Sequence, residues 1–336
     1  MSQIPDTRAV LGIRRRTVLQ AGTAAAFLAA LGPLRAQETQ PPVVLITGTS
    51  SGFGRLMAEG FARKGFRVFA TMREMEGRNA AAAEELRTLA RQDNLPIEVL
   101  ELDVLSDPSV AAAVEQAIAR TGRIDILVSN AGIVVPGPIE LQPPQFFHAN
   151  IETNAYGALR VIKAVIPHMR QAGRGTIIQI SSALGRAIDP MLGGYCASKL
   201  MIEAACDALR YELASSKIEV SVVQPAGAYP TQLQGKARRY WEELLASIGP
   251  EKRPLLDTYA PHIEAMLAEL EPDNSLDPKE VSDAVIRLAA MEFGTRPSRL
   301  TVGPYADGIN PVNAAHEELQ TEMMSHSPHA SLFTLR

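Results

Sequence analysis

The sequence predicts an α/β protein built on one doubly wound parallel sheet. Three observations carry that expectation. From Pro41 to about residue 223, short apolar runs alternate with amphipathic stretches. Most of the runs are continuously apolar, as strands are when helices cover both faces. A glycine-rich stretch follows the first run directly and opens the first helical one.

In chain order the expected strands are 43–47, 67–71, 97–102, 126–129, 176–181 and 219–223. Between them lie helical patterns at about 55–64, 78–92, 107–121, 143–172 and 195–215. Alternation of this kind implies right-handed crossovers and one parallel sheet. Residues 230–296 break the rhythm: rich in Pro, Leu and Glu, they read as helices with turns. This long insertion is expected to form a substrate-binding lid over the carboxyl ends of the strands. A last strand is expected at 299–302, and the tail after Gly303 reads as irregular.

Composition narrows the function. The chain has 336 residues, 46% hydrophobic and 21% charged, which excludes collagen-like, disordered and coiled-coil classes. Net charge is 33 − 37 = −4, so no overall basic field would hold a nucleic acid. Two cysteines make neither a disulfide framework nor a Cys-rich zinc site. Cys196 and Cys206 fall on one expected helix, about 15 Å apart by helical rise, too far to bridge. The six histidines form no pair at metal spacing, so no metal is expected. Arg238-Arg239-Tyr240-Trp241 reads as the solvated and buried faces of a lid helix.

The first 36 residues read as a signal peptide, leaving 37–336 as the mature domain. Arg14-Arg15-Arg16 precedes an uncharged run from Thr17 to Leu34, and Ala36 offers a small residue for cleavage. Arg15 to Gln20 resembles a twin-arginine export motif. The run is short for a membrane anchor and contains Gly22, Gly32 and Pro33. The expected location is therefore periplasmic or secreted, with no stable membrane span after cleavage. If the signal does not function, the location is cytoplasmic.

The glycine-rich stretch is Thr47-Gly48-Thr49-Ser50-Ser51-Gly52-Phe53-Gly54. Its glycines let the backbone turn sharply and approach a pyrophosphate, which the following helix N-terminus attracts. The spacing, Gly-x3-Gly-x-Gly, resembles that of the short-chain dehydrogenase/reductase family. Further motifs agree in order: Asp103-Val104, Asn130-Ala131-Gly132, Asn154, Ser181-Ser182 and Tyr195-x-x-x-Lys199. The resemblance spans roughly residues 43–303 and implies a Rossmann-type fold and a nicotinamide cofactor.

Tyr195 and Lys199 are four apart on an expected helix and so share a face. A free tyrosine titrates near ~10, and a nearby ammonium is expected to lower that value. Tyr195 would then protonate a carbonyl oxygen, or take the proton from an alcohol. The resemblance implies a catalytic set of Asn154, Ser182, Tyr195 and Lys199. Ser182 stands 13 residues before Tyr195 and is favoured over Ser181 on that spacing. Asn154 is expected to bend its helix and to hold a water linked to Lys199.

The expected cofactor-binding residues are Gly48, Ser50, Ser51, Gly52, Phe53 and Gly54 of the turn, with Asp103, Val104, Asn130, Ala131, Gly132, Tyr195, Lys199 and Thr231. The family usually has Pro-Gly after the sixth strand, whereas Ala226 here separates Pro225 from Gly227. No carboxylate ends the second strand, where NAD enzymes place one. Arg73 stands there instead and could pair with a 2′-phosphate, so NADP is expected over NAD. The resulting expectation is a hydride transfer between NADP(H) and a small-molecule carbonyl or secondary alcohol. The chief alternative is a non-catalytic NADP-binding sensor or scaffold on the same fold; an isomerase or dehydratase is a third. Family resemblance also implies a homo-oligomer.

Overall fold

Every residue of the first strand, β1 (Val43–Thr47), is buried. Its side chains alternate between two cores: Val43 and Leu45 face one, Val44 and Ile46 the other. That is why the run is apolar without interruption. The chain is described here by a computed structural model over residues 40–333. The expected signal at 1–36, with Arg15 and Arg16, lies outside the described residues.

Six further strands complete the sheet: β2 (Arg67–Met72), β3 (Ile97–Glu101), β4 (Ile126–Ser129), β5 (Gly175–Ile180), β6 (Ile218–Pro225) and β7 (Arg299–Val302). All pairings are parallel, in the order β3-β2-β1-β4-β5-β6-β7. The order reverses between β1 and β4, which opens a crevice at their carboxyl ends.

The connecting helices cover both faces. On one side lie α1 (Gly52–Arg63) and α2 (Ala80–Gln92), and on the other α3 (Asp107–Thr121). The stretch expected as one helix at 143–172 is interrupted: α4 (Pro144–Ile151) runs into a π turn (Glu152–Gly157) and then α5 (Ala158–Ala172). Asn154 lies in that π turn, which interrupts the regular α-helix at the place where a bend is expected. The long helix α6 (Gly193–Glu212) completes the face shared with α3 and α5.

The stretch expected to be a lid divides into two parts. Helices α7 (Gln232–Ser247) and α8 (Leu255–Glu269) share a small core of their own, built on Leu141, Trp241, Leu244, Ile248 and Met266. Helix α9 (Lys279–Ala289) instead buries Val281, Val285 and Leu288 in the main core beside α1. Its apolar residues fall at helical spacing, so it is a layer of the sheet fold rather than part of a cover. The tail also differs from expectation. Ala306–Ser325 forms a helix, α10, with Pro311 inside it. No helix among the described residues is long and apolar enough to cross a membrane.

Candidate active site

The glycine-rich turn needs its glycines for steric reasons. Gly48 and Gly52 hold φ of +73° and +57°, where side chains are strained. A Cβ on Gly48 would stand 2.9 Å from Ala131 Cα, and one on Gly54 only 2.7 Å from Asn130 Nδ2. Asn130 fixes this approach by donating from Nδ2 to the carbonyls of Thr47 (2.8 Å) and Gly48 (3.2 Å). The backbone amides of Asn130 and Ala131 both donate to Thr47 Oγ1. Ser51, at the N-cap of α1, makes no side-chain capping bond. The helix end thus presents donors for a phosphate, as the cradle requires.

The turn forms one wall of a cavity of about 340 Å³, within the range of ligand pockets. Gly132 and Thr231 line it, and Asp103 and Val104 lie toward β3. Ala226, the extra residue after Pro225, donates its amide to Val302 O at 2.7 Å. It is absorbed as an extension of the sheet, and Thr231 still arrives opposite Gly52.

At the inner end stand Ser182, Tyr195 and Lys199. The two candidate serines separate clearly. Ser181 Oγ donates to the buried carboxylate of Glu203 at 2.7 Å, whereas Ser182 stands beside the Tyr195 phenol and lowers its pKa. Ser182 Oγ also accepts from Leu184 N at 3.1 Å. Around the Tyr195 ring pack Val134, Leu184, Leu192, Leu233, Ala237 and Leu270.

The electrostatics differ from expectation. Burial pushes the Tyr195 phenol up to about 12, with the Ser182 hydrogen bond pulling the other way. Lys199 is itself pushed down to about 8 by burial, partly offset by the Glu203 carboxylate. Its ammonium donates to Ile180 O at 3.1 Å and sits 5.6 Å from the centre of the Tyr195 ring. At that separation, desolvation of the phenol outweighs the pull of the cation.

Asn154 and Lys199 both lie beside Gly132. Asn154 Oδ1 accepts from Ile133 N at 2.8 Å, and its Nδ2 donates to Ile133 O and to Ser198 Oγ, both at 2.9 Å. Both amide protons are therefore committed to holding the β4 loop against α6.

The outer end of the cavity is basic. Arg73 lines it as expected, but so do Arg78, Lys236 and Arg239. Sequence reasoning missed these three. Lys236, Arg239, Tyr240 and Glu243 recur at three and four residues, a single helical face that the spacing itself carried. The cluster 238–241 splits accordingly. Trp241 is buried, and Arg238 turns away to Leu267 O and Glu271.

Comparison with known proteins agrees with this architecture. The profile of the family described as short chain dehydrogenase matches residues 42–241. The 3-ketodihydrosphingosine reductase of Bacteroides thetaiotaomicron is 32% identical over 275 residues, covering 79% of this chain and 89% of the relative. The 17-beta-hydroxysteroid dehydrogenase type 1 of Mus musculus is 34% identical, covering 72% and 69%. Among solved structures, a gluconate 5-dehydrogenase from Burkholderia cenocepacia in complex with NADP and tartrate superposes with a TM-score of 0.61 at 26% identity, covering 80% of this chain and 95% of that one. A short chain dehydrogenase/reductase from Burkholderia phymatum in complex with NAD has the same fold, with a TM-score of 0.69 at 21% identity and coverage of 84% and 95%.

Proposed function

The chain belongs to the short-chain dehydrogenase/reductase family, and on that premise we propose that it passes a hydride between NADP(H) and an apolar ketone or secondary alcohol. The observation that carries this reading is the Ser182–Tyr195 pair at the inner end of the glycine-turn cavity, ringed by apolar side chains. The turn fits a dinucleotide: Gly48 and Gly54 let it close against Asn130 and Ala131, and the uncapped N-terminus of α1 faces the cavity. Gly48, Ser50, Ser51, Gly52, Phe53 and Gly54 would hold the pyrophosphate, and Asp103 and Val104 the adenosine. When bound, the nicotinamide supplies or accepts the hydride.

The residues of the chain do the rest. Ser182 holds the substrate oxygen beside Tyr195. During reduction the phenol O–H bond breaks and the proton passes to the carbonyl oxygen; oxidation reverses the transfer. With its pKa near 12, Tyr195 is protonated at neutral pH, the state that donates. The Lys199 ammonium stabilises the phenolate left behind. Leu233, which lines the cavity, and the Val134, Leu184 and Leu192 cluster behind Tyr195 keep water from the phenol and favour an apolar substrate body. The named substrates of the sphingoid and steroid relatives, both largely apolar, support that choice.

Arg73 supports the choice of NADP, since it fills the place of the acid that NAD enzymes use. The experiment that tests the function is deuteride transfer from 4-deuterated NADPH to a panel of long-chain and cyclic ketones, read by mass spectrometry. An alcohol carrying deuterium at the former carbonyl carbon is expected. No transfer to any ketone, with the cofactor bound, would defeat the reading.

We propose further that residues 1–36 export the folded, cofactor-loaded protein by the twin-arginine route. Periplasmic protein should then retain nucleotide, and Lys at both Arg15 and Arg16 should keep the chain in the cytoplasm. Unimpeded export of the double variant would remove the route.

A further inference from the structure

Four cations from two parts of the fold meet at the outer end of the cavity. Arg73 follows β2 and Arg78 precedes α2, so both belong to the sheet domain. Lys236 and Arg239 come from α7, across the cavity. Arg78 is matched by a two-point bond to Glu74, at 2.5 and 2.6 Å. Arg73 reaches the same carboxylate only at 3.9 Å. Among the described residues, neither Lys236 nor Arg239 has a carboxylate within 4.0 Å. The hydrogen bond of the Lys236 ammonium is to Ser51 Oγ, at 3.4 Å. Burial, then Arg73, Arg239 and Arg78, hold the Lys236 pKa below its usual value, and no anion opposes them. Glu243 and Asp103 also line the cavity, and they leave the positive charge in excess.

Arg73 and Lys236 are half-buried and Arg78 and Arg239 exposed; like charges on separate elements repel, and this arrangement is stabilised when an anion sits between them. We propose that Lys236 and Arg239 complete, with Arg73 and Arg78, a site for a phosphomonoester on the adenosine ribose, so that the phosphate ties α7 to the sheet domain. The proposal rests on the NADP reading above and extends it to residues outside the sheet domain.

The consequence reaches the substrate. Leu233 and Ala237 lie on the same helix as Lys236 and pack around Tyr195. Trp241 and Leu244, farther along the same apolar face of that helix, pack with Met266 of α8 in a second cluster. One rigid helix therefore touches the phosphate through its cations and the substrate pocket through its apolar residues. A cofactor with the 2′-phosphate should position the cover over the substrate, and one without it should do so less well. The substrate KM, as well as cofactor affinity, should then depend on the phosphate.

Adenosine 2′,5′-bisphosphate, ADP and AMP are the probes, titrated calorimetrically into the full protein. ADP tests whether the lid cations serve the pyrophosphate instead. The bisphosphate should bind at least about tenfold tighter than AMP or ADP, as charge-assisted bonds to a phosphate predict. It should also slow tryptic cleavage after Lys236 and Arg239, whereas AMP should not. Lys236→Gln with Arg239→Gln should abolish most of the preference without changing AMP affinity, and Lys236→Arg should keep it. If the double variant retains the preference while Arg73→Ala loses it, α7 takes no part and the NADP reading stands. If the double variant loses ADP affinity equally, the cations serve the pyrophosphate and the proposal fails. If wild-type protein prefers neither the bisphosphate nor NADPH, the NADP reading fails first.

Discussion

Asn154 donates to Ser198 Oγ at 2.9 Å, and that hydroxyl donates in turn to the carbonyl oxygen of Tyr195 at 2.6 Å. This chain fastens the β4 loop to the first turns of α6, where Tyr195 stands. Asn154→Ala removes the partners of both Ile133 N–H and Ile133 C=O. Each unsatisfied buried group costs about 1–3 kcal/mol, so stability should fall by about 2–6 kcal/mol in urea unfolding. A loss below about 0.5 kcal/mol would show that this anchor is dispensable.

Arg73 carries the cofactor prediction. Arg73→Ala should weaken NADPH by about 1.5–3 kcal/mol, the range for hydrogen bonds to charged groups, and leave NADH little changed. Fluorescence titration of both cofactors decides it. An equal loss for both would rule out contact with a 2′-phosphate.

Lys199 sets the pH dependence. Its pKa is lowered to about 8, so the ammonium is present below that value and lost as pH rises through it. Tyr195 keeps its proton until about 12. Reductive kcat should therefore be flat on the acid side of about 8 and fall by about tenfold per unit above it. A profile flat to about 10 would mean that the Lys199 charge is not needed for the step.

A second pH effect belongs to the end of α8. Asp189, in the loop before α6, faces Glu269 at the end of α8. Burial first, and then Glu269, raise its pKa from 3.8 to about 6. A raised carboxyl pKa gives stability that is full below the unfolded value and lost as pH rises through the folded one. Asp189→Asn should therefore raise Tm near neutrality by about 2–4 °C, if the relief discounted for solvent is worth ~1 kcal/mol. Near the ordinary carboxylate pKa it should change Tm little. Equal gains at both pH values would assign the effect to something other than this titration.

The legible parts of the fold were those fixed by local pattern. The bounds of β1, β4 and β7 coincide with their apolar runs, and α3 matches the run between Ser106 and Gly122, its caps. Helix α10 was missed because Gly308, Pro311 and the flanking polar residues read as breakers. Pro311 lies within the first two turns of the helix, and Ala314 to Met324 are mostly good helix formers. The Tyr195–Lys199 pairing was legible from spacing, but the direction of the Tyr195 shift was not. It depends on burial supplied by residues as distant in sequence as Val134 and Leu270. Lys236 and Arg239 were visible as one helical face, but which face meets the cavity depends on how Trp241 packs on Leu141 and Met266.

The central claim is that the Tyr195 hydroxyl moves the proton, and Tyr195→Phe tests it most directly. The substitution keeps the ring packed among its apolar neighbours and removes only the hydroxyl beside Ser182. Steady-state reduction of a deuteride-accepting ketone should show kcat lower by about 10²–10⁴-fold, with NADPH affinity within about twofold of wild type. Turnover within about twofold of wild type would contradict the account.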